Sequence, residues 1–375
     1  MVNNKIRVLF LIHDLGPGGA EKVLVNLANN LDRERYLVTI LSLFDVGANR
    51  DRIANHVEYK WCFKKMPRGN VTSMKLLSPS QLHKWLIKDH YDVEIAYLEG
   101  PCARIISGCT DPNVLKLAWI HCQQTLKKDA GCFRTYNEAI SCYNRFKHIY
   151  CVSQNVKDTF SNKYDSLRVP IDILYNTLET IDILNMGTEE ADEIINNRDV
   201  TNIIAVGKLI KNKGIDRIIR IIKKIKDDGE NAHLYILGNG GEAANLQKMV
   251  LDLELSENVT FLGYQINPYK YVSKCDLFIC ASLREGFSTA ASEALILGVP
   301  VITVDVGGMR EMLGDNNEYG VVVSNNDNDL YQALRKLLID RSLLMHYKEQ
   351  AIIRGRHFSK DETVRAVELE IERLL

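Results

Sequence analysis

Two kinds of segment alternate along most of the chain: short, continuous apolar runs and longer stretches whose apolar residues recur at helical spacing. Continuous apolar runs are typical of strands buried on both faces, and their alternation with helices predicts βαβ units and parallel sheets. The strands predicted on this basis are Ile6–Ile12, Leu37–Leu43, Val93–Leu98, Val114–Ile120 and His148–Ser153 in the first half, and Asn202–Val206, Ala232–Leu237, Val259–Gly263, Leu277–Ala281 and Val301–Val304 in the second.

The stretch from residue 277 to residue 308 shows this pattern most completely. An apolar strand leads into a polar turn, a helix that begins near Ser288 or Thr289, a glycine stop at Gly298 and a second strand after Pro300. The turn follows the carboxyl end of a predicted parallel strand, which is where open α/β sheets bind ligands. The free N–H groups at the helix start favour a phosphate there. We therefore expect a ligand site in this turn.

Two glutamates frame the same turn, Glu285 before the helix and Glu293 within it. Ionised carboxylates accept strong hydrogen bonds from hydroxyl groups, so this pair favours a sugar or a ribose as the ligand. The spacing alone leaves an alternative, in which Glu285 caps the helix and Glu293 is solvated.

Three other strand-to-helix turns have compositions that suit a ligand. The first contains Gly18 and Gly19 but lacks the G-x-G-x-x-G fingerprint of dinucleotide sites. The second carries Lys208 and Lys213, whose ammonium groups can meet developing negative charge, although solvated lysines would give the same pattern. The third, at 238–241, is rich in glycine, which permits a ligand to approach the backbone closely.

The bulk composition is that of a soluble protein with two domains. A chain of 375 residues exceeds one typical core, and 46% hydrophobic with 25% charged residues is ordinary for globular proteins. No apolar window is long enough to predict a transmembrane helix. Nine cysteines without a C-x2-C pair favour free thiols in a reducing cytoplasm. We place the domains at 1–178 and 201–355, with an acidic linker at 179–200 that includes a short helix, and an amphipathic C-terminal helix at 356–375.

Charge is distributed unevenly along the chain. The first half is basic and the second half is acidic, and the two nearly cancel to a net charge of −1. A basic domain favours an anionic surface or a phosphate-bearing partner. Within it, residues 61–74 mix aromatic and cationic side chains without a clear period, as a lipid-headgroup boundary or a solvated loop would.

Asp327-Asn328-Asp329 has the D-x-D form of metal-dependent transferases, but it precedes a predicted helix. N-capping accounts for it, and we assign no metal.

The segment EGFSTAASE, continued by ALILGVPVITVDVGG, resembles the E-x7-E segment of glycosyltransferase family 4, a retaining family. The resemblance extends over nearly the whole chain. It implies the GT-B fold, an α/β architecture in which two Rossmann-like domains with parallel sheets face each other across a cleft. The first domain would bind the acceptor and the second the nucleotide sugar, and the C-terminal helix would cross back to the first domain.

The resemblance also implies roles for individual side chains. Glu285 would contact the donor sugar and Glu293 the ribose, while His121, in the sequence WIH, would touch the transferred sugar without being a general base. Lys213 stands at the position of the family's lysine that clamps the diphosphate. Lys208 stands where the family usually has arginine, which keeps the charge but loses the planar two-pronged grip on phosphate.

The other positions implied by the resemblance act largely through the backbone. They lie in the first glycine turn near the donor phosphates and the acceptor, in the G-x-G loop, in the segment that contacts the base, and at the helix start: Gly18, Gly19, Gly238, Gly240, Gln265, Gly286, Phe287, Ser288 and Thr289.

The sequence thus indicates a hexosyltransferase that is independent of metal and of any other cofactor. Its donor would be a nucleotide-diphosphate sugar, most commonly UDP-linked among relatives. The acceptor would be a glycan or polyprenyl-linked oligosaccharide hydroxyl in capsule, exopolysaccharide or O-antigen lipopolysaccharide synthesis. We expect a cytoplasmic protein that contacts the anionic inner face of the membrane peripherally through its basic first domain, and no nucleic-acid partner.

Three other functions are weighed against this one. A nucleotide-sugar epimerase or hydrolase of the same fold would need a proton-shuttling pair, for which His13-Asp14 and His121 are candidates. An NAD-dependent oxidoreductase is disfavoured because G-x-G-x-x-G does not follow the first strand. A non-catalytic binder of nucleotide sugars is disfavoured by the two lysines and two glutamates.

Overall fold

The computed structural model describes residues 5–65, 74–125, 130–191, 193–194 and 199–375. The chain forms two compact units. Unit 1 comprises Met1–Thr177 together with Lys360–Leu375, and unit 2 comprises Leu178–Ser359. Unit 1 is therefore built from two separate pieces of the chain.

A seven-stranded parallel sheet forms the centre of unit 1, in the order β3-β2-β1-β4-β5-β6-β7. Its strands are β1 (Ile6–Ile12), β2 (Tyr36–Phe44), β3 (Glu58–Phe63), β4 (Val93–Ala96), β5 (Leu115–Ile120), β6 (His148–Cys151) and β7 (Ile171–Ile173). The helices described between them are α1 (Gly19–Asn30), α2 (Pro79–Leu86), α3 (Pro101–Ile106), α4 (Tyr136–Tyr143) and α5 (Gln154–Lys163), with a 3-10 turn at Ala48–Arg52.

A six-stranded parallel sheet forms the centre of unit 2, in the order β10-β9-β8-β11-β12-β13. Its strands are β8 (Thr201–Val206), β9 (Ala232–Leu237), β10 (Val259–Gly263), β11 (Leu277–Cys280), β12 (Val301–Val304) and β13 (Val321–Val323). The helices are α6 (Thr180–Met186), α7 (Ile215–Asp227), α8 (Ala243–Asp252), α9 (Tyr269–Val272), α10 (Thr289–Ile296), α11 (Met309–Leu313), α12 (Asp327–Ile339) and α13 (Arg341–Gly355), with a 3-10 turn at Lys211–Lys213.

In both sheets the first strand of the unit lies in the middle, and the order in which the following strands are added reverses there. This is the doubly wound Rossmann arrangement. The predicted α/β class with two Rossmann-like parallel sheets is confirmed. The helices pack by their apolar faces: in α7 the isoleucines are buried against the sheet, whereas Arg220, Lys223 and Lys226 face outward. Burial of such a face supplies most of a helix's stability.

The last helix, α14 (Lys360–Leu374), belongs to unit 1. Its residues Val364, Val367 and Ile371 are buried. Glu368 Oε1 accepts a hydrogen bond from the backbone N–H of Asp32 at 2.9 Å, and the Tyr150 hydroxyl donates to Glu370. The predicted return of the C-terminal helix to the first domain is thus confirmed.

Residues 61–63 differ from one of the two alternatives given for 61–74. Trp61 and the next two residues form the end of β3 and are therefore not part of a solvated loop. β3 is an edge strand whose residues are all half-buried or exposed, so it lacks the apolar run that marks a central strand. Residues 66–73, the rest of that stretch, lie outside the described residues.

One smaller expectation also changes. The cap of α12 is Asn326, whose side chain accepts from the Asp329 N–H, so Asp327 and Asp329 lie in the first helical turn and do not precede the helix. The segment predicted as a linker with a short helix does contain one, α6, and Met186 and Gly187 accept hydrogen bonds from Asn267 and Ser273 of unit 2. Among the described residues no helix combines the length and hydropathy needed to cross a membrane.

Candidate active site

Five turns follow the carboxyl ends of β8, β9, β10, β11 and β12, so they lie along the same edge of the unit 2 sheet. Backbone hydrogen bonds of 2.8–2.9 Å connect them into one rim: Leu209 donates to Asn239, Gly238 to Gly263, Leu283 to Asn212, and Gly308 to Gly286. A ligand at this rim meets loops that support one another.

Two glycines permit this close packing of the turns. Gly214 has φ +63°, and a Cβ at that position would lie 2.1 Å from the carbonyl oxygen of Ala281. Gly238 has φ +142°, and a Cβ there would lie 1.9 Å from the carbonyl oxygen of Gly207. Neither position tolerates a side chain without displacement of a neighbouring turn.

An ion pair lies between the turns after β8 and β11. Lys213 Nζ donates to Glu285 Oε1 at 2.6 Å, and Ser282 Oγ donates to the same carboxylate oxygen at 2.7 Å. The Glu285 side chain is only 11% exposed, which strengthens the interaction relative to a surface pair. The lysine tip is thus held beside the turn that leads into α10.

Neither glutamate has the role that the alternative interpretation gave it, in which Glu285 caps the helix and Glu293 is solvated. Ser288 is the cap of α10, since its hydroxyl accepts from the Ala291 N–H at 3.4 Å, whereas Glu285 pairs with Lys213. Glu293 is 7% exposed within α10 and is therefore not solvated. The helix ends where predicted, with Gly298 at φ +73° just beyond it.

The remaining predicted residues of unit 2 occupy the same rim. Lys208 is half-buried in the turn after β8, and Gly240 lies against Leu209 of that turn. Gln265 follows β10 and donates its side-chain amide to the Leu262 carbonyl at 2.8 Å. Gly286, Phe287 and Thr289 flank the capping serine at the start of α10.

Two residues at the rim were not predicted from the sequence. Ser282 fixes Glu285, and Arg217, 7% exposed, donates to the Ala281 carbonyl at 2.8 Å and to Asp327 at 2.6 Å. Arg217 thereby anchors the strand end from which the Glu285 turn starts. Ser282 was detectable as a hydroxyl three residues before Glu285, whereas nothing in the sequence distinguishes Arg217 from other cations on its helix.

In unit 1, His121 lies just beyond β5 at the carboxyl edge of the sheet. Its backbone N–H donates to Glu99 at 3.0 Å, and its ring lies 4.7 Å from that of Tyr97. Among the described side chains, Nε2 of His121 is buried without a hydrogen-bond partner. Burial lowers the pKa of His121 to about 3, so the ring is neutral at physiological pH.

Glu99, which accepts the His121 backbone N–H, lies in the loop after β4. Burial raises the pKa of its carboxyl group, although backbone N–H donors, including that of His121, oppose the shift. This edge of unit 1 therefore combines a neutral imidazole, aromatic rings and a carboxyl group that resists ionisation.

The glycine turn after β1 lies on the same edge, since β1 is next to β4 and β4 is next to β5 in the sheet. Gly18 is the N-cap of α1, and Gly19 is its first residue. Asp14 bonds both the His13 ring, at 2.7 Å, and the Gly16 N–H, at 2.8 Å, so its carboxylate shapes the turn.

Two family models match the chain, and together they span most of it. The model described as glycosyl transferases group 1 matches residues 188–354, and the model described as glycosyltransferase family 4 matches residues 17–180.

The relatives agree with the family models. The chain is 28% identical to the N-acetylgalactosamine-N,N'-diacetylbacillosaminyl-diphospho-undecaprenol 4-alpha-N-acetylgalactosaminyltransferase of Campylobacter jejuni, over 94% of this chain and 96% of that one. It shares its fold with Anabaena HepE in complex with UDP and glucose, at TM-score 0.75 and 17% identity, over 98% and 99% of the two chains. Sucrose-phosphate synthase from Thermosynechococcus elongatus gives TM-score 0.79 at 16% identity, over 99% of each chain. The protein is accordingly a GT-B glycosyltransferase and belongs to glycosyltransferase family 4.

Proposed function

We propose that this glycosyltransferase moves a hexose-type sugar from a UDP-sugar to a hydroxyl of a polyprenyl-diphosphate-linked glycan, with retention of the anomeric configuration. The observation that carries the proposal is the Lys213–Glu285 pair at the rim of unit 2. The donor class is supported by a relative of the same fold bound to UDP and glucose, and the acceptor class by the Campylobacter enzyme, which is named for an undecaprenol diphosphate glycan.

The ion pair suits a donor with a diphosphate and a sugar. An ammonium group has three donor hydrogens, so Lys213 can bond a phosphate oxygen while it keeps Glu285 in place. Lys213 and Ser282 both donate to Oε1 of Glu285, which leaves Oε2 to accept a sugar hydroxyl. Lys208 supplies a second positive charge in the same turn, and the capped start of α10 supplies N–H groups.

These groups would stabilise the departing diphosphate without a divalent ion, because positive charge aimed at developing negative charge lowers the barrier whatever its source. No cofactor is then required. The attacking hydroxyl would pass its proton to the leaving phosphate on the same face, since the neutral His121 is a poor general base.

The contact with the membrane is proposed on the aromatic and basic surface formed by β3 and α2. Trp61 and Trp85 are 45% and 51% exposed, and the Phe63 ring lies 5.5 Å from that of Trp85. Lys64 and Lys84 are exposed beside them in the sequence. Tryptophan with lysine favours the headgroup region of an anionic membrane, which would place the enzyme at the cytoplasmic face where a polyprenyl acceptor is accessible.

The test is product analysis by mass spectrometry after incubation with a panel of nucleotide sugars and a polyprenyl-diphosphate glycan. We expect one added hexose-type residue from a UDP-sugar, without added Mg²⁺ or Mn²⁺, and an unchanged anomeric configuration by NMR. Release or isomerisation of the sugar without acceptor would indicate a hydrolase or epimerase.

A vesicle sedimentation assay tests the surface formed by β3 and α2. We expect the protein to sediment with anionic but not with neutral vesicles, and Trp85→Ala to associate more weakly.

A further inference from the structure

Three side chains that can bind metals converge in unit 1, outside the site described above. They are His83 of α2, Glu94 of β4 and Cys109, which follows α3. His83 Nε2 and Glu94 Oε2 are 2.8 Å apart, and one ligand atom from each of the three residues lies within 4.8 Å of the other two. The cluster thus joins α2 and the loop after α3 to the central sheet.

Glu94 is the unusual member of this cluster. It lies in a strand with neighbours on both sides, where apolar residues are the rule, and it is 2% exposed. A buried carboxylate needs compensation by a cation or by several donors. His83 provides one partner, but a thiol beside the pair is not needed for an ion pair.

The ligand set matches one class of ion. An imidazole nitrogen, a carboxylate oxygen and a thiolate sulfur are the ligands of Zn²⁺, which binds them at about 2.0–2.3 Å in tetrahedral geometry. Tetrahedral ligands at those distances lie roughly 3.3–3.8 Å from one another. Small side-chain movements therefore bring atoms that already lie within 4.8 Å into coordination.

We propose that His83, Glu94 and Cys109 bind a zinc-class divalent ion that fastens α2 to the unit 1 sheet. Water would complete the coordination, since the His83 side chain is 16% exposed and gives the ion a path from solvent. Glu94 lies near the amino end of β4, whereas His121 and Gly18 lie beyond the carboxyl ends of their strands. The ion is therefore structural, and the inference stands independently of the proposed sugar transfer.

Co²⁺ is the probe, because a thiolate bound to Co²⁺ gives a charge-transfer absorption that carboxylate and imidazole ligands do not. The full chain is stripped of metal, titrated with Co²⁺ and then with Zn²⁺. We expect one equivalent of Co²⁺ to produce the thiolate band, Zn²⁺ to abolish it by displacement, and Zn²⁺ to raise the Tm.

Cys109→Ser should abolish the thiolate band, and Glu94→Gln should weaken Zn²⁺ binding at least about tenfold. Cys62→Ser is the matched control, since that thiol of β3 lies outside the cluster and its loss should leave the band unchanged. Circular dichroism of each metal-free variant establishes that it is folded before titration. Absence of a thiolate band in the wild type, or its persistence in folded Cys109→Ser, overturns the proposal and leaves a His83–Glu94 ion pair.

Discussion

The carboxyl edges of the two sheets present different chemistry on the same strand order. In unit 2 the rim carries the Lys213–Glu285 pair and glycines at which neighbouring backbones approach closely. In unit 1 the corresponding edge carries the neutral His121 ring, the Tyr97 ring and a half-buried Glu99. One architecture therefore supports a site built on an ion pair and an edge built around a neutral imidazole, because the turns and not the strands determine the chemistry.

The strongest test of this comparison removes the charges of unit 2. Glu285→Ala and Lys213→Ala should each lower kcat about 10²- to 10³-fold, since each removes a group that is proposed to stabilise the leaving diphosphate or the sugar. Steady-state transfer assays measure the effect, and thermal unfolding checks that the variants remain folded.

Lys211→Ala is the matched control, because Lys211 is an exposed lysine of the same 3-10 turn. It should retain near-normal turnover. Near-normal turnover of Glu285→Ala or Lys213→Ala would instead contradict the assignment of the site.

The second test concerns the neutral state of the His121 ring in unit 1. The folded His121 has a pKa of about 3 and an ordinary value of 6.5, so the unfolded chain takes up the proton first as pH falls. Wild-type stability should therefore decline between about pH 6.5 and 3, by up to about 1.4 kcal/mol per pH unit from this group.

His121→Phe should remove that part of the decline and lower transfer, because the ring nitrogen is lost while the ring is kept. Denaturant midpoints of wild type and variant across this pH range give the difference. Parallel pH profiles would show that His121 is not held neutral by the fold.

The third test addresses the packed turns of unit 2. Gly214→Ala adds both left-handed backbone strain and a clash with the Ala281 carbonyl, so it should cost at least about 2 kcal/mol and also reduce transfer by displacing Lys213. Gly229→Ala separates the two effects, since Gly229 has φ +81° but open space around its Cβ position. It should cost only about 1 kcal/mol. Equal losses for the two variants would mean that the close approach is unimportant.

The smallest effect is expected where α14 joins unit 1. Tyr150→Phe removes the hydrogen bond to Glu370 and should lower the unfolding free energy by about 1 kcal/mol. Tyr347→Phe in α13 is the control, since the structure describes no hydrogen bond of its hydroxyl group. A Tm shift confined to Tyr150→Phe is expected, and an equal shift in both variants would argue against the contact.

The sequence predicted the central strands and helix α10 well, because strands buried on both faces are continuous apolar runs and Ser288 and Gly298 mark the two ends of α10. It did not predict β3, whose polar residues reflect its edge position, or the three-residue strands β7 and β13. At the rim, Glu285 and Lys213 were predicted as candidates from their type and turn, and the structure brings them together as an ion pair. Arg217 was not predicted, because its partners Ala281 and Asp327 are distant from it in the sequence. No local pattern indicates contacts between residues so far apart.

Because α14 completes unit 1 but is translated after all of unit 2, the order of synthesis and the order of assembly differ. While a ribosome translates residues 178–359, the first 177 residues lack the helix that covers them in the complete unit. Tyr150 and the surface beneath Val364, Val367 and Ile371 stay accessible to chaperones during that interval. Recombinant fragments that end before Lys360 should therefore aggregate more readily than the full chain, even though they contain every strand of both sheets.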